Sequence, residues 1–274
     1  MKKFIALFAA TAMMMGLLSG CSATKEETQE TANTEGEAAT EDKTTFTVGF
    51  DAEFPPYGYM DENGDYTGFD LELAEEVCVR RGWELVKQPI DWDSKDMELS
   101  SGSIDCIWNG FTMDGREDAY TWSVPYVDNS QVFVVKTDAG ITSFDDLADK
   151  IVGVQKDSSA LAALEGDAAD LAATFAELNQ YADYNTGFMD LEAGAIDALA
   201  IDIGVANYQI ESRGDGYMIM DEKLATEQYG IGFFLGNDEL KEQVESTLLE
   251  MADDGKFMEI AEKYGLEDSV CLGK

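Results

Sequence analysis

Phe69-Asp70-Leu71-Glu72-Leu73-Ala74-Glu75-Glu76-Val77-Cys78-Val79-Arg80-Arg81 carries its apolar side chains, Phe69, Leu71, Leu73, Ala74, Val77 and Cys78, near helical spacing. On either side the period changes to two. Thr45-Phe46-Thr47-Val48-Gly49-Phe50 alternates before it, and residues 83–90 alternate after it. A short helix comes next, then Ser103-Ile104-Asp105-Cys106-Ile107-Trp108, a β-branched and aromatic strand that Asn109-Gly110 is expected to end. The order β-α-β-α-β predicts a parallel sheet with helices on its faces.

A second series of the same kind comes later: Lys150-Ile151-Val152-Gly153-Val154 as a strand, a helix opening over 158–165, a helix near 189–194, a strand at 196–201 and a helix over 203–212. The expected fold is therefore α/β in two lobes. Gln131-Val132-Phe133-Val134-Val135 reads as the strand that crosses between them, and Tyr229-Gly230-Ile231-Gly232-Phe233-Phe234-Leu235 as the strand that crosses back. Helices over 238–253 and 255–264 then close on the first lobe. Lobe one is expected over 44–130 and 231–274, and lobe two, with the hinge strands, over 131–230.

The chain opens with a basic Met1-Lys2-Lys3 and a 15-residue apolar run from Phe4 to Leu18, too short to span a bilayer and suited to a cleaved signal peptide, residues 1–20. Leu18-Ser19-Gly20-Cys21 resembles a bacterial lipobox, which implies a diacylglyceryl thioether on Cys21 and a protein tethered outside the cytoplasm. Residues 22–43 are mostly Thr, Glu and Ala without large apolar side chains, so they are expected to remain a solvated tether. The formal net charge is −38, and two units more negative once Lys2 and Lys3 leave, which excludes nucleic acid as a partner. Self-repulsion of this size favours a monomer. With no histidine in the chain and no metal spacing among Cys78, Cys106 and Cys271, zinc chemistry and a Ser-His-Asp triad are excluded. No cofactor is expected.

Open α/β sheets hold ligands at the carboxyl ends of their strands, so the residues just beyond each strand are the candidates for a site. In the first lobe these are Asp51 and Phe54, then Trp92, then Gly110, Thr112 and Arg116; in the second, Ser158, Ser159 and Asp202. Arg116 offers a planar fork of donors that matches a carboxylate bidentately. Ser158-Ser159 opens a helix, where free backbone N–H groups favour an anion, although Ser158 can equally be a plain N-cap. Asp202, the Gly110 carbonyl and the Thr112 hydroxyl can accept from an ammonium. Phe54 and Trp92 can clamp an aliphatic portion between their faces.

Gly110-Phe111-Thr112-Met113, then Arg116, then Trp122-Ser123-Val124-Pro125-Tyr126, resembles the ligand loop of bacterial polar amino-acid binding proteins, the extracytoplasmic receptors of ABC importers. Here Thr112 and Arg116 are one residue closer than usual, and Trp122 stands for the usual phenylalanine. Val48 to Tyr57, Gly68-Phe69-Asp70-Leu71, Gly153 to Ala160, Leu191 to Asp202 and Tyr229-Gly230-Ile231-Gly232 extend the likeness over most of the globular body. The resemblance implies a periplasmic-binding-protein-like fold of type II, with discontinuous lobes joined by a two-strand hinge. It assigns the ligand carboxylate to Ser159 as well as Arg116, and it brings Asp51 and Asp70 to the side-chain end of the ligand.

The same resemblance implies a substrate-binding component of an amino-acid ABC importer, not an enzyme, which closes around one polar L-amino acid and delivers it to a permease and its ATPase. The rival readings are a cyclohexadienyl dehydratase-like enzyme on the same fold, with Glu53 as the only nearby acid, and a ligand-sensing partner of a receptor kinase. Asp61-Glu62-Asn63-Gly64-Asp65 echoes the start of an EF-hand loop. Tyr66 occupies the place of its glycine, so a hairpin turn at Asn63-Gly64 is expected instead of a metal site.

Overall fold

A computed structural model describes residues 43–273, which belong to one unit of the chain. The leader, Cys21 and nearly all of the tether lie outside the described residues. Lys43, expected as the last residue of that tether, is held by its ammonium against Asp105 at 2.7 Å.

Strand β1 (Thr45–Phe50) leads into a small antiparallel sheet of β2 (Glu53–Phe54), β3 (Gly58–Met60) and β4 (Tyr66–Thr67). Asp61 accepts from the backbone N–H groups of Asn63 and Asp65, so the acidic loop between β3 and β4 is the hairpin turn. Helix α1 (Phe69–Arg81) comes next, then β5 (Glu84–Pro89), a short turn of helix at Trp92–Ser94, α2 (Lys95–Ser101), β6 (Cys106–Thr112), β7 (Thr121–Trp122) and β8 (Val127–Lys136). The second series is β9 (Ile151–Gln155), α3 (Ser159–Glu165), α4 (Ala169–Ala172), β10 (Glu177–Tyr181), α5 (Tyr184–Ala193), β11 (Ala198–Asp202), α6 (Ile203–Arg213), β12 (Tyr217–Ile219) and β13 (Ala225–Phe233). Helices α7 (Asp238–Asp254) and α8 (Lys256–Lys263) complete the chain.

Helix α1 buries Phe69, Leu71, Leu73, Ala74, Val77 and Cys78 against the sheet. It stops at Gly82, whose left-handed φ of 71° lets its N–H reach the Cys78 and Val79 carbonyls. Two parallel three-strand groups, β5-β1-β6 and β10-β9-β11, are joined through β13 and β8 into one sheet of order β10-β9-β11-β8-β13-β6-β1-β5. Both joining strands run antiparallel to their neighbours.

Two details differ from the sequence reading. The β-branched run Val132–Val135 pairs with β11 inside the second half, and the chain crosses earlier, where Val127–Gln131 pairs with Ala225–Tyr229. That crossing is rich in polar residues, Asp128, Asn129, Ser130 and Gln131 on one strand and Glu227 and Gln228 on the other, so hydrophobicity pointed to the wrong part of it. Nor does Asn109-Gly110 end β6. The strand continues to Thr112, while its register against β13 jumps from the Ile107–Gly232 pair to the Phe111–Gly230 pair. The residues between form a bulge, with Gly110 at φ 54°. A bulge keeps the ladder going while turning Gly110 outward, which a true strand end would not do.

Buried Cys78 and Cys106 are free thiols.

Candidate ligand-binding site

The bulge, the β9–α3 junction and the end of β11 converge on one small cavity. Its walls bring together Phe54, Trp92, Gly110, Thr112, Arg116, Ser158, Ser159 and Asp202, with Gln155 added.

Arg116 sits after a turn in which its N–H bonds the Met113 carbonyl, and its own carbonyl takes the Trp122 indole N–H at 3.1 Å. Its guanidinium lies 5.3 Å from the Phe111 ring and donates to the carbonyls of Thr112 and Asp157, both at 3.2 Å. No carboxylate among the described residues pairs with it. In a chain with 56 acids that is informative: the local pairing with Glu117 or Asp118 expected of an ordinary surface arginine is not made. The two carbonyls are neutral, so the cation keeps its appetite for an anion.

Asp157 ties the halves together twice. Its carbonyl receives Arg116, and its carboxylate pairs with Lys95, a side chain only 2% exposed. Lys95 also stands 5.2 Å from the Trp92 ring. Ser158 is a local cap, donating to the Gln155 carbonyl and accepting from the Leu161 N–H. Ser159, one residue on, faces the cavity.

Asp202 is 4% exposed. Its Oδ1 accepts from Asn129 Nδ2, Gln131 Nε2 and the Tyr229 hydroxyl, and its Oδ2 from the Tyr184 hydroxyl. Burial, then the charge of Glu227, push its carboxyl up to about 7. Glu227 Oε1 collects Thr112 Oγ1 at 2.9 Å, Asn129 Nδ2 and Gln131 Nε2 at 2.7 Å, and Ser159 Oγ at 3.2 Å. The two acids therefore share donors in a buried cluster.

The other two anticipated residues are off the cavity wall. Asp70 is fully buried behind β6, where Oδ2 accepts the Gly110 N–H at 2.6 Å and Oδ1 the Tyr126 hydroxyl at 2.9 Å. It braces the bulge, and burial pushes its carboxyl up to about 7. Asp51 binds the Glu53 N–H and Gln155 Nε2, so it reaches the cavity only through Gln155; burial foremost raises it to about 6. Neither Asp51 nor Asp70 lines this cavity, and the amide of Gln155 stands between Asp51 and its wall. Glu53, the acid considered for a dehydratase, stands outside, in a separate acidic recess with Asp91, Glu98 and Asp183.

Gln155, Glu227, Asn129 and Gln131 were missed. Gln155 ends β9, so the strand-end rule that found Asp202 would have found it. Glu227 lies on the buried face of β13, two residues from Tyr229; parity of the strand was the available signal.

Residues 46–267 match the bacterial extracellular solute-binding proteins, family 3, and the chain belongs to that family. The L-cystine-binding protein TcyJ of Escherichia coli strain K12 is 29% identical over 223 residues, 80% of this chain and 82% of the relative. The arginine-binding extracellular protein ArtP of Bacillus subtilis strain 168 is 29% identical over 79% of this chain and 84% of its own. Among solved structures, an ABC uptake transporter substrate-binding protein from Streptococcus pneumoniae with bound histidine superposes with a TM-score of 0.80 at 37% identity, covering 82% of this chain and 94% of that one.

Proposed function

We propose that this chain binds one L-amino acid in the cavity between its halves, closes around it and presents the closed form to an ABC permease and its ATPase. The observation that carries the reading is a guanidinium, Arg116, without an anionic partner among the described residues, and a buried acid, Asp202, on the walls of one small cavity. A zwitterion meets both: its carboxylate takes Arg116 and the opening turn of α3, and its ammonium takes Asp202, the Gly110 carbonyl and Thr112. The relatives named for cystine, arginine and histidine support the ligand class. Phe54 and Trp92 flank the aliphatic portion. Because Gln155 spends its amide nitrogen on Asp51 and the Ala182 carbonyl, its oxygen remains for the ligand, which favours a side chain bearing an N–H donor.

The halves act as lobes, 44–130 with 231–274 and 131–230, hinged at the β8–β13 crossing. Ligand that bridges Arg116 and Asp202 stabilises the closed state over the open one. In this reading a cleaved leader and a lipid on Cys21 would hold the receptor, as a monomer, outside the cytoplasm at the membrane surface. For the dehydratase reading, the acid it needs stands in a different recess from Arg116, Thr112 and Asp202, and we do not favour it.

Calorimetric titration with the twenty common L-amino acids, L-ornithine and L-cystine tests the proposal. At least one should bind with one-to-one stoichiometry; heat from none would reject it. Incubation with prephenate or arogenate, watched for aromatic product, tests the rival.

A further inference from the structure

We propose that Glu227 is the residue that fixes the polarity of the cavity: it draws the hydroxyl protons of Thr112 and Ser159 onto one carboxylate oxygen, turns both hydroxyls into acceptors, and pairs its charge with that of Asp202, so that only ligands carrying a cationic nitrogen are taken up at that end. The inference rests on the amino-acid reading above and assigns the residue that enforces it. Glu227 acts through its neighbours, as a positioning residue.

A hydroxyl has one proton to give. Thr112 Oγ1 lies 2.9 Å from Glu227 Oε1 and 3.2 Å from Ser159 Oγ, so Glu227 is its nearer acceptor. Ser159 Oγ receives Gln131 Nε2 at 2.8 Å and passes its own proton to Glu227 at 3.2 Å. With both protons spent, neither hydroxyl can donate to a ligand carboxylate, and Thr112 offers lone pairs to an N–H. The acid does this from β13, at the crossing itself, and it reaches Thr112 in one half and Ser159 in the other. The polarity is therefore assembled only when the halves meet.

The same geometry makes the cluster short of protons. Asn129 Nδ2 donates to Asp202 Oδ1 and Glu227 Oε1 at 2.8 and 2.7 Å, and Gln131 Nε2, 2.6 and 2.7 Å from the same two oxygens, has two protons for these and Ser159 Oγ together. The amide oxygens of Asn129 and Gln131 are buried without a partner among the described residues. The titratable groups facing the pair are the hydroxyls of Tyr57, Tyr184 and Tyr229, all pushed well up by burial and therefore neutral donors, with Asp70 a further acid facing Tyr57. Arg116 lines the cavity, but its bonds go to carbonyls, and no lysine or arginine among the described residues bonds either acid. Burial, then the charge of Glu227, hold the Asp202 carboxyl up at about 7, so Asp202 carries a proton below that pH. An incoming ammonium supplies the positive charge and releases that proton. Binding then strengthens as pH rises and weakens as Asp202 protonates.

The test uses wild-type protein and Glu227→Gln, titrated singly with the twenty common L-amino acids, L-ornithine and L-cystine, and then with the des-amino counterpart of the tightest binder. The expected result for wild type is affinity that falls between pH 8 and pH 5.5, and proton release detected at pH 6.5 by comparing two buffers of different protonation heat. Glu227→Gln should bind the amino acid roughly tenfold or more weakly at pH 8 and respond less to pH. It should also discriminate less against the des-amino compound. If the variant lacks a cooperative melt, the two-buffer measurement on wild type decides alone. Unchanged affinity and pH response in the variant, or no proton exchange in wild type, overturns the proposal while leaving the amino-acid reading intact. Wild type that binds nothing overturns both.

Discussion

Replacing Arg116 with alanine separates binding from folding more cleanly than any other change. In the ligand-free structure the guanidinium is half-buried and makes two bonds to carbonyl oxygens at 3.2 Å, long for charged donors, and a ring contact with Phe111. No acid loses its partner when it goes, so the folded state should lose only ~1 kcal/mol. The ligand loses far more. Two charge-assisted bonds to a carboxylate contribute ~1.5–3 kcal/mol each, and their removal leaves that carboxylate facing a desolvated wall. Together this is ~3–6 kcal/mol, or a weakening of roughly 10²- to 10⁴-fold. Arg116→Lys should recover part of it, because an ammonium matches the charge but not the fork. Calorimetric titration gives the affinity and a urea melt gives the stability. An alanine variant that binds within about threefold of wild type, or one that unfolds, would refute the reasoning.

Other contacts make equally definite demands. Asp157→Asn strands Lys95, which is almost fully buried; because Asp157 is itself half-exposed, the loss should be ~1–3 kcal/mol in a urea melt, with weaker ligand binding, whereas Lys95→Met should cost less. Gly110→Ala places a methyl 2.9 Å from both Phe54 Cε1 and Tyr229 Cε2 at a φ of 54°, so it should cost ~1–3 kcal/mol and weaken binding, read by melting and titration of the same samples. Asp70, raised in the fold to about 7 from 3.8, holds a proton between those values that the unfolded chain has already lost. Its contribution to stability is therefore present at acidic pH and is lost as pH rises through that window, at up to ~1.4 kcal/mol per pH unit. Stability curves from pH 4.5 to 7.5 should be flatter by up to one proton in Asp70→Asn, and an unchanged slope would show that Asp70 does not hold the proton.

The two α/β series and the α1 face were readable because one period governs each stretch: Phe69, Leu73, Ala74 and Val77 have no competing reading, and β1 and α1 fall where the sequence placed them. Strand β10, Glu177-Leu178-Asn179-Gln180-Tyr181, was not readable. It is an edge strand with one neighbour and half-exposed side chains, so nothing in its composition demands burial. The site followed the same division. Trp92 and Asp202 were picked out because they follow strands, where an open sheet leaves backbone and side chains free, and Arg116 by its donor fork and the resemblance of its loop. Asp70 could not be placed from sequence, because a carboxylate that braces a β-bulge and one that greets a ligand look alike until the bulge is seen. Glu227 fell outside the strand as read, which began at Tyr229, although its partners Thr112 and Ser159 had both been picked out.

The central claim is that a single zwitterion spans Arg116 and Asp202. A crystal structure of the protein with the amino acid that binds tightest in the titration panel tests it most directly. The account predicts both ligand carboxylate oxygens ~2.7–2.9 Å from the Arg116 guanidinium and the Ser159 turn, with the ammonium on Asp202 and Thr112. A ligand bound elsewhere, or bound in this cavity with its carboxylate turned away from Arg116, would contradict it.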